Sequence, residues 1–331
     1  MKLPRRRFLH LATLLPVAGA AVKISAWPAI ADDYPSRMVR IIVPFGAGGP
    51  TDVYARAIAE ELRKSLHQTF VIENRPGAGT TIGTDYVAKA APDGYTLLMV
   101  SGTQTVNETL YNNKPYQLMR DLVPIAPLID SDMVLVVHPS VPAKNLAELL
   151  ALARAKPGTL NYGSSGLGSN YHMAGELLKS LTDIDIVHVP YKGSTGARND
   201  ILSGQIQMLF DSVPTMAPMI KAGLVRPLGT SGKVRSPILP DVPMMAEAGV
   251  PEFYTTQWIG FMAPARTPQP IIDLLNREIT KILSRPDIKA EWEKQGATPI
   301  VMTPGEFDTF MRSEIAKKAN IITANHIPMI N

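Results

Sequence analysis

Four times along this chain a short apolar run breaks at a glycine-bearing turn and gives way to a segment with helical spacing. That alternation is the mark of α/β architecture, in which helices cover a largely parallel sheet. Val39 to Val43 reads as a strand and Pro44 to Pro50 as a loop. Thr51 to Leu66 then carries Val53, Ala57, Ile58, Leu62 and Leu66 on one helical face. Strand Phe70 to Glu73, turn Asn74 to Gly79, helix Thr81 to Ala90 and strand Tyr95 to Val100 follow. Met133 to His138 is a strand and Leu146 to Ala155 a helix. The unit then returns as strand Leu160 to Tyr162, loop 163–169 and helix Asn170 to Leu181, and again as strand Ile186 to Val189, loop 190–194 and helix Thr195 to Ser203. Strand Gln207 to Phe210 ends at Asp211, and Pro227 to Pro251 reads as proline-rich connection. Strand Trp258 to Ala263 and helices Pro270 to Ser284 and Pro304 to Ala319 complete the pattern.

The N-terminus speaks for export. Arg5, Arg6 and Arg7 precede an apolar stretch from Phe8 to Val22, and Ala29-Ile30-Ala31 has the small-x-small form of a signal-peptidase site. With Pro16 and Gly19 in it, the stretch falls short of the ~20 apolar residues of a spanning helix. A cleaved signal peptide over residues 1–31 is expected. Arg5-Arg6-Arg7-Phe8-Leu9 also fits twin-arginine export, with Pro4 where Ser or Thr is usual. The segment holds five basic and no acidic residues, so the formal charge of +4 becomes −1 without it. The remaining chain has no basic excess for nucleic acid. With no cysteine among 331 residues, thiol nucleophiles, zinc–thiolate sites, disulfides and a lipidated cysteine are excluded, and the core alone must stabilise the exported protein.

Chemistry concentrates in the loops. Pro44-Phe45-Gly46-Ala47-Gly48-Gly49-Pro50-Thr51-Asp52 lies at the carboxyl end of a strand, where open α/β sheets bind ligands. Thr51 or Asp52 would cap the following helix, whose free N–H groups and positive dipole end favour an anion. The spacing Gly46-x-Gly48-x-x-Thr51 departs from a dinucleotide loop, and no Gly-Lys-Ser/Thr marks a phosphate loop. A structural turn remains an alternative. Gly163-Ser164-Ser165-Gly166-Leu167-Gly168-Ser169 joins another strand to a helix and adds three hydroxyls. Two such helix N-termini facing each other would suit a ligand with a carboxylate at each end. Ser165 is a poor nucleophile candidate, since Leu167 replaces the last glycine of G-x-S-x-G. In Pro190 to Thr195, Tyr191 would wall the pocket and Lys192 attract an anion. Asp211 would serve as a helix cap, a water holder or the partner of a ligand amine. The histidines show no metal spacing, and neither metal nor cofactor is expected.

At these loops the sequence resembles the extracytoplasmic solute receptors of tripartite tricarboxylate transporters. The matching stretches include Ile41 to Phe45 with Ala47 to Asp52, Glu73 to Gly79, Ala91 to Thr96, Pro157 to Ser164, Val189 to Gly193, Leu239 to Pro243 and Gly260 to Pro264. The resemblance runs from Tyr34 to the C-terminus. It implies a type II periplasmic-binding-protein fold, two α/β lobes closing on a ligand. Lobe I would comprise residues 32–130 and 258–331, and lobe II residues 131–257. A small carboxylate is implied as ligand, held by Phe45, Ala47, Gly48, Gly49, Thr51 and Asp52 with Ser164, Ser165, Gly166, Ser169 and Asn170. Ser101 and Thr103 would line the first lobe, and Tyr191, Gly193 and Ser194 the second. Membrane permease subunits are the implied partners of a monomeric periplasmic receptor. Open alternatives are an amino-acid receptor using Asp211, an aromatic-acid receptor, a ligand-sensing partner of a signalling system and, least supported, an exported serine hydrolase.

Overall fold

The computed structural model describes residues 34–324 and 327–330, so the basic start and the expected cleavage site at Ala31 lie outside the described residues. Strand β1 (Val39–Val43) has four β-branched residues in five and is buried at all but Arg40, as a parallel strand covered on both faces should be. Helix α1 (Pro50–Leu66), β2 (Phe70–Asn74), a 3-10 turn at Ala78–Thr80, α2 (Thr81–Ala88), β3 (Thr96–Ser101), α3 (Gly102–Leu110), the one-turn α4 (Leu118–Asp121) and β4 (Leu122–Val137) follow. Next come α5 (Leu146–Ala155), β5 (Asn161–Ser164), α6 (Asn170–Thr182), β6 (Val187–Pro190), α7 (Ser194–Leu202), β7 (Met208–Ser212), α8 (Val213–Lys221) and β8 (Arg226–Thr230). The chain returns through β9 (Thr256–Pro264), α9 (Gln269–Leu283), α10 (Pro286–Lys294), β10 (Ala297–Pro299) and α11 (Pro304–Ala324).

Strands are ordered β2-β1-β3-β9-β4-β7-β5-β6, with β8 and β10 also on β4. The order holds one motif twice. In the first half β1 lies parallel between β2 and β3, and β9 then β4 are added antiparallel. In the second half β5 lies parallel between β6 and β7, and β4 then β8 are added antiparallel. Strand β4 therefore serves both halves: Leu122–Asp132 pairs with β9, Met133–Val137 with β7 and Val134–Val137 with β8. The apolar side chains sort the same way. Ile41, Leu97, Phe261 and Leu275 belong to one buried cluster and Leu98, Trp258 and Phe307 to its neighbour. Leu135, Tyr162 and Phe210, and on the opposite face Val134, Ala197 and Leu209, form the clusters of the second half. A small cluster of Val106, Leu110, Met173, Ile322 and Ile327 joins α3 and α11 to α6.

Several elements depart from the sequence expectation, each for a local reason. β4 begins at Leu122, not Met133, although Pro124 and Pro127 argue against a strand there. Its register to β9 shifts at Pro124/Ala126 and at Pro127/Ile129, so bulges absorb both prolines. α3 is rich in Gly, Thr and Asn, weak helix formers, and starts with no intervening loop. Its sequence signal is the capping box of Ser101 and Gln104. α8 carries Pro214 near its start and Pro218 inside, and β8 sits within the supposed connection.

Candidate ligand-binding site

Four helix N-termini meet at one cavity, and this follows from the strand order. In both halves the parallel strands run toward the same cleft, so the turns after β1, β3, β5 and β6 open onto it. Helix α1 is entered through Gly49, α3 through Ser101, α6 through Ser169 and α7 through Gly193. The Ser101 hydroxyl accepts from Thr103 N–H at 3.3 Å, and Ser169 Oγ accepts from His172 N–H at 3.2 Å. Gly49 and Gly193 offer no side-chain cap, so the first amides of α1 and α7 are left for another acceptor. Neither Thr51 nor Asp52 occupies the N-cap of α1, as the sequence suggested; Gly49 does.

The cavity has two connected parts that share Phe45, Thr103 and Ser165. The larger holds about 240 Å3 between the Ala78–Thr80 turn, Tyr111, the Ser165–Ser169 loop and Tyr191. The smaller holds about 10 Å3, room for about one water, and is walled by Gly49, Thr51, Ser101, Asn170, Ser194 and Gln257. No carboxylate lines either part, and Lys192 is the one charged residue at their walls among the described residues. Helix dipoles, free amides, hydroxyls and one ammonium make the electrostatics uniformly favourable to an anion.

The expected site residues divide into three groups. Phe45, Gly49, Thr51, Ser101, Thr103, Ser165, Gly166, Ser169, Asn170, Tyr191 and Ser194 line the cavity. Ala47, Gly48 and Gly193 instead join the two rims. Thr195 Oγ1 donates to the Ala47 carbonyl at 2.9 Å, Arg198 donates to the Gly48 carbonyl at 2.7 Å, and Gly46 N–H donates to the Lys192 carbonyl at 3.3 Å. A Cβ on Gly193 would stand 3.1 Å from Gly46 N. Asp52, Ser164 and Asp211 lie behind the walls. Burial raises the Asp52 carboxyl, but hydrogen bonds from Arg56, Gly48 N–H and Asn74 outweigh it and hold the group below the usual carboxylate range. That carboxylate thereby braces the first loop from within.

Ser164 is fully buried, and its Oγ lies 2.6 Å from His188 Nε2 and accepts from Gly166 N–H at 3.1 Å. His188 stacks on His172 with centroids 4.0 Å apart, and His172 Nδ1 accepts from Gly168 N–H at 3.1 Å. Burial first, then the adjacent His172 ring and Lys179, lowers His188 to about 3; burial lowers His172 to about 4 against the pull of Glu176. Two neutral imidazoles thus hold the second loop from behind.

Asp211 is fully buried and ion-pairs with Arg198 at 3.3 Å, while its Oδ1 accepts from Ser212 N–H. Burial pushes its carboxyl up, opposed chiefly by Arg198. Arg198 was not singled out from the sequence, yet it ties Asp211 on β7 to the Gly48 carbonyl on the opposite rim. Tyr171 and Gln257 were missed as well: the Tyr171 hydroxyl donates to Gln257 Oε1, linking α6 to β9 at the floor of the cavity. Asn170 Oδ1 is buried there without a partner.

A family model for the tripartite tricarboxylate transporter family receptor, TctC, matches residues 54–327. Protein BugT of Bordetella pertussis is 39% identical over 318 residues, covering 95% of this chain and 98% of that protein. An R. palustris protein solved with adipate superposes with a TM-score of 0.87 at 35% identity, covering 90% of this chain and 100% of its own. MatC from Rhodopseudomonas palustris, solved with bound malate, gives 0.83 at 32% identity, covering 87% and 100%.

Proposed function

Because the chain belongs to the tripartite tricarboxylate transporter receptor family, whose members are solute-binding receptors rather than enzymes, we propose that its cleft captures a small organic carboxylate for delivery to a membrane permease. The fold is the α/β type II periplasmic-binding-protein fold. The observation that carries the ligand class is the meeting of four helix N-termini at a cavity without a lining carboxylate. A volume of about 240 Å3 suits a compact acid. It falls below the ~300 Å3 at which sites for drug-sized ligands begin. The ligands in the two R. palustris structures, adipate and malate, support the same class.

The lobes in this reading are residues 32–130 with 258–331, and 131–257. The change of β4 partners between Asp132 and Met133 supports that division. Phe45, Tyr111 and Tyr191 give the cavity flat apolar walls, so the acid is aliphatic or aromatic. Ligand would draw the rims together because the closed form contacts it from both sides. The receptor is a monomer in this account, exported after cleavage near Ala31 and able to use the twin-arginine route. No helix among the described residues is long and apolar enough to cross a membrane. Amino-acid capture through Asp211 is disfavoured, since that carboxylate faces Arg198 and does not line the cavity.

A thermal-shift panel of adipate, malate, citrate, benzoate and glutamate tests the reading. At least one acid should raise the melting temperature in a saturable way, and Asp211→Asn should leave glutamate no worse relative to the simple acids. A flat response across the panel overturns the carboxylate assignment.

A further inference from the structure

A second opening lies away from the cleft, where the two strands shared between the halves run beneath α11. It holds about 810 Å3 and is lined from both halves, by Lys233 and Tyr254 of the β8–β9 connection and by Phe310 and Lys318 of α11 among others. Its floor is set by strand register. Asp130 and Asp132 are two apart on β4, so both carboxylates stand on one face. Trp258 and Thr256 lie directly opposite them on β9, completing a patch of four side chains.

This patch is polar and incompletely paired, with Trp258 buried and Asp130, Asp132 and Thr256 half-buried. The Trp258 indole N–H has no hydrogen-bond partner, although the residue is only 2% exposed. Asp130 Oδ1 is likewise buried without a partner. Neither carboxylate has an ion pair among the described residues; burial pushes both up to about 6, and at Asp130 a hydrogen bond from Thr256 opposes burial while Asp132 adds repulsion. Lys318 is 8% exposed, and burial lowers its ammonium against the field of Glu314 one turn away. Of the other charges at the wall, Lys317 pairs with Glu314 at 2.9 Å, Arg235 with Glu247 at 2.9 Å, and the Lys233 ammonium lies over the Tyr254 ring at 4.4 Å, while Glu293 adds a further carboxylate. An unpaired carboxylate oxygen and an unpaired indole N–H, with a buried lysine near them and an aromatic wall, are costly for a fold to keep without a ligand.

We propose that this groove is a second small-molecule site, which takes a zwitterionic amino acid with an apolar side chain. Its ammonium is received by Asp130 and Asp132, its carboxylate by Lys318 and the Trp258 indole N–H, and its side chain by Trp258, Tyr254 and Phe310. A simple acid, the class assigned to the cleft, lacks the ammonium that the two aspartates require. The site and the cleft therefore differ in ligand chemistry.

Labelling the protein with 5-fluorotryptophan gives a resonance for Trp258, assigned by its loss in Trp258→Phe, that reports on the groove. Titration with L-phenylalanine should shift it saturably, while phenethylamine and phenylacetate, each lacking one charge, should bind at least about tenfold more weakly. Asp132→Asn and Lys318→Met should each weaken L-phenylalanine by about tenfold or more. An unmoved Trp258 resonance up to the solubility limit overturns the proposal. So does phenethylamine binding as tightly as L-phenylalanine, or a shift that survives both substitutions. The comparison of the three probes on the unaltered protein decides the matter even where a variant fails to fold.

Discussion

Arg198 is the residue on which stability and closure meet. Its guanidinium neutralises a fully buried carboxylate and also reaches across the cleft to the Gly48 carbonyl. Removing one partner of a buried pair costs roughly 3–5 kcal/mol. Protonation of Asp211, already favoured by burial, should soften that cost. Arg198→Met is therefore expected to lower stability, and Arg198→Met with Asp211→Asn to regain much of it in chemical denaturation. The double variant still lacks the bond to Gly48, so its carboxylate affinity should stay low; full recovery of both would refute the latch role. Nothing in Ser194-Thr195-Gly196-Ala197-Arg198 announces this, because one partner is 13 and the other 150 residues away. The cavity-lining serines and glycines were legible because helix N-termini have local signatures. Asp52, Ser164 and Asp211 were legible as polar loop residues, but burial behind the wall is a tertiary fact.

The two imidazoles behind the second loop respond to pH with the opposite sign to Asp130 and Asp132 in the groove. His172 is neutral in the fold with its pKa lowered to about 4, while the unfolded chain takes up a proton near 6.5. Its contribution is complete above about pH 6.5 and is lost as pH falls toward 4. Asp130 and Asp132, raised to about 6, keep protons that the unfolded chain releases and so offset part of that loss below pH 6. The stability gap between the protein and His172→Gln should thus narrow by roughly 3 kcal/mol from pH 7 to pH 4. A gap independent of pH would show that the ring is not held neutral.

At the scale of elements, the turns after the parallel strands do the work, and their glycines set how closely the rims approach. Gly193 has an extended backbone, φ 162°, so alanine there carries no conformational strain. Its Cβ would nevertheless crowd Gly46 N at 3.1 Å in the closed contact. Overpacking of this kind costs about 1–3 kcal/mol. Because the contact joins the two rims at the cleft, Gly193→Ala should weaken carboxylate binding roughly five- to hundredfold while lowering the melting temperature little. A matched loss of melting temperature would place the glycine in folding instead. Elements with regular apolar spacing, such as β1, α1 and α9, were readable from sequence. Those with prolines in their interior were not: β4 tolerates Pro124 and Pro127 only because its bulges relieve them against β9, a compensation no single segment reveals.

For the whole molecule, β4 and β9 form the physical link between two copies of one strand order. The alternation of strand and helix predicted the α/β class. The return of the chain to the first sheet through β9 is a long-range pairing that periodicity does not encode. Closure about that link is proposed to bring N-termini from both halves onto one solute. Isothermal titration calorimetry with malate and adipate, each beside its uncharged diamide, tests it most directly. One saturable site is expected for an acid, with at least about a tenfold loss for the diamide. Equal binding of acid and diamide, or no heat from either pair or from citrate and benzoate, would contradict it.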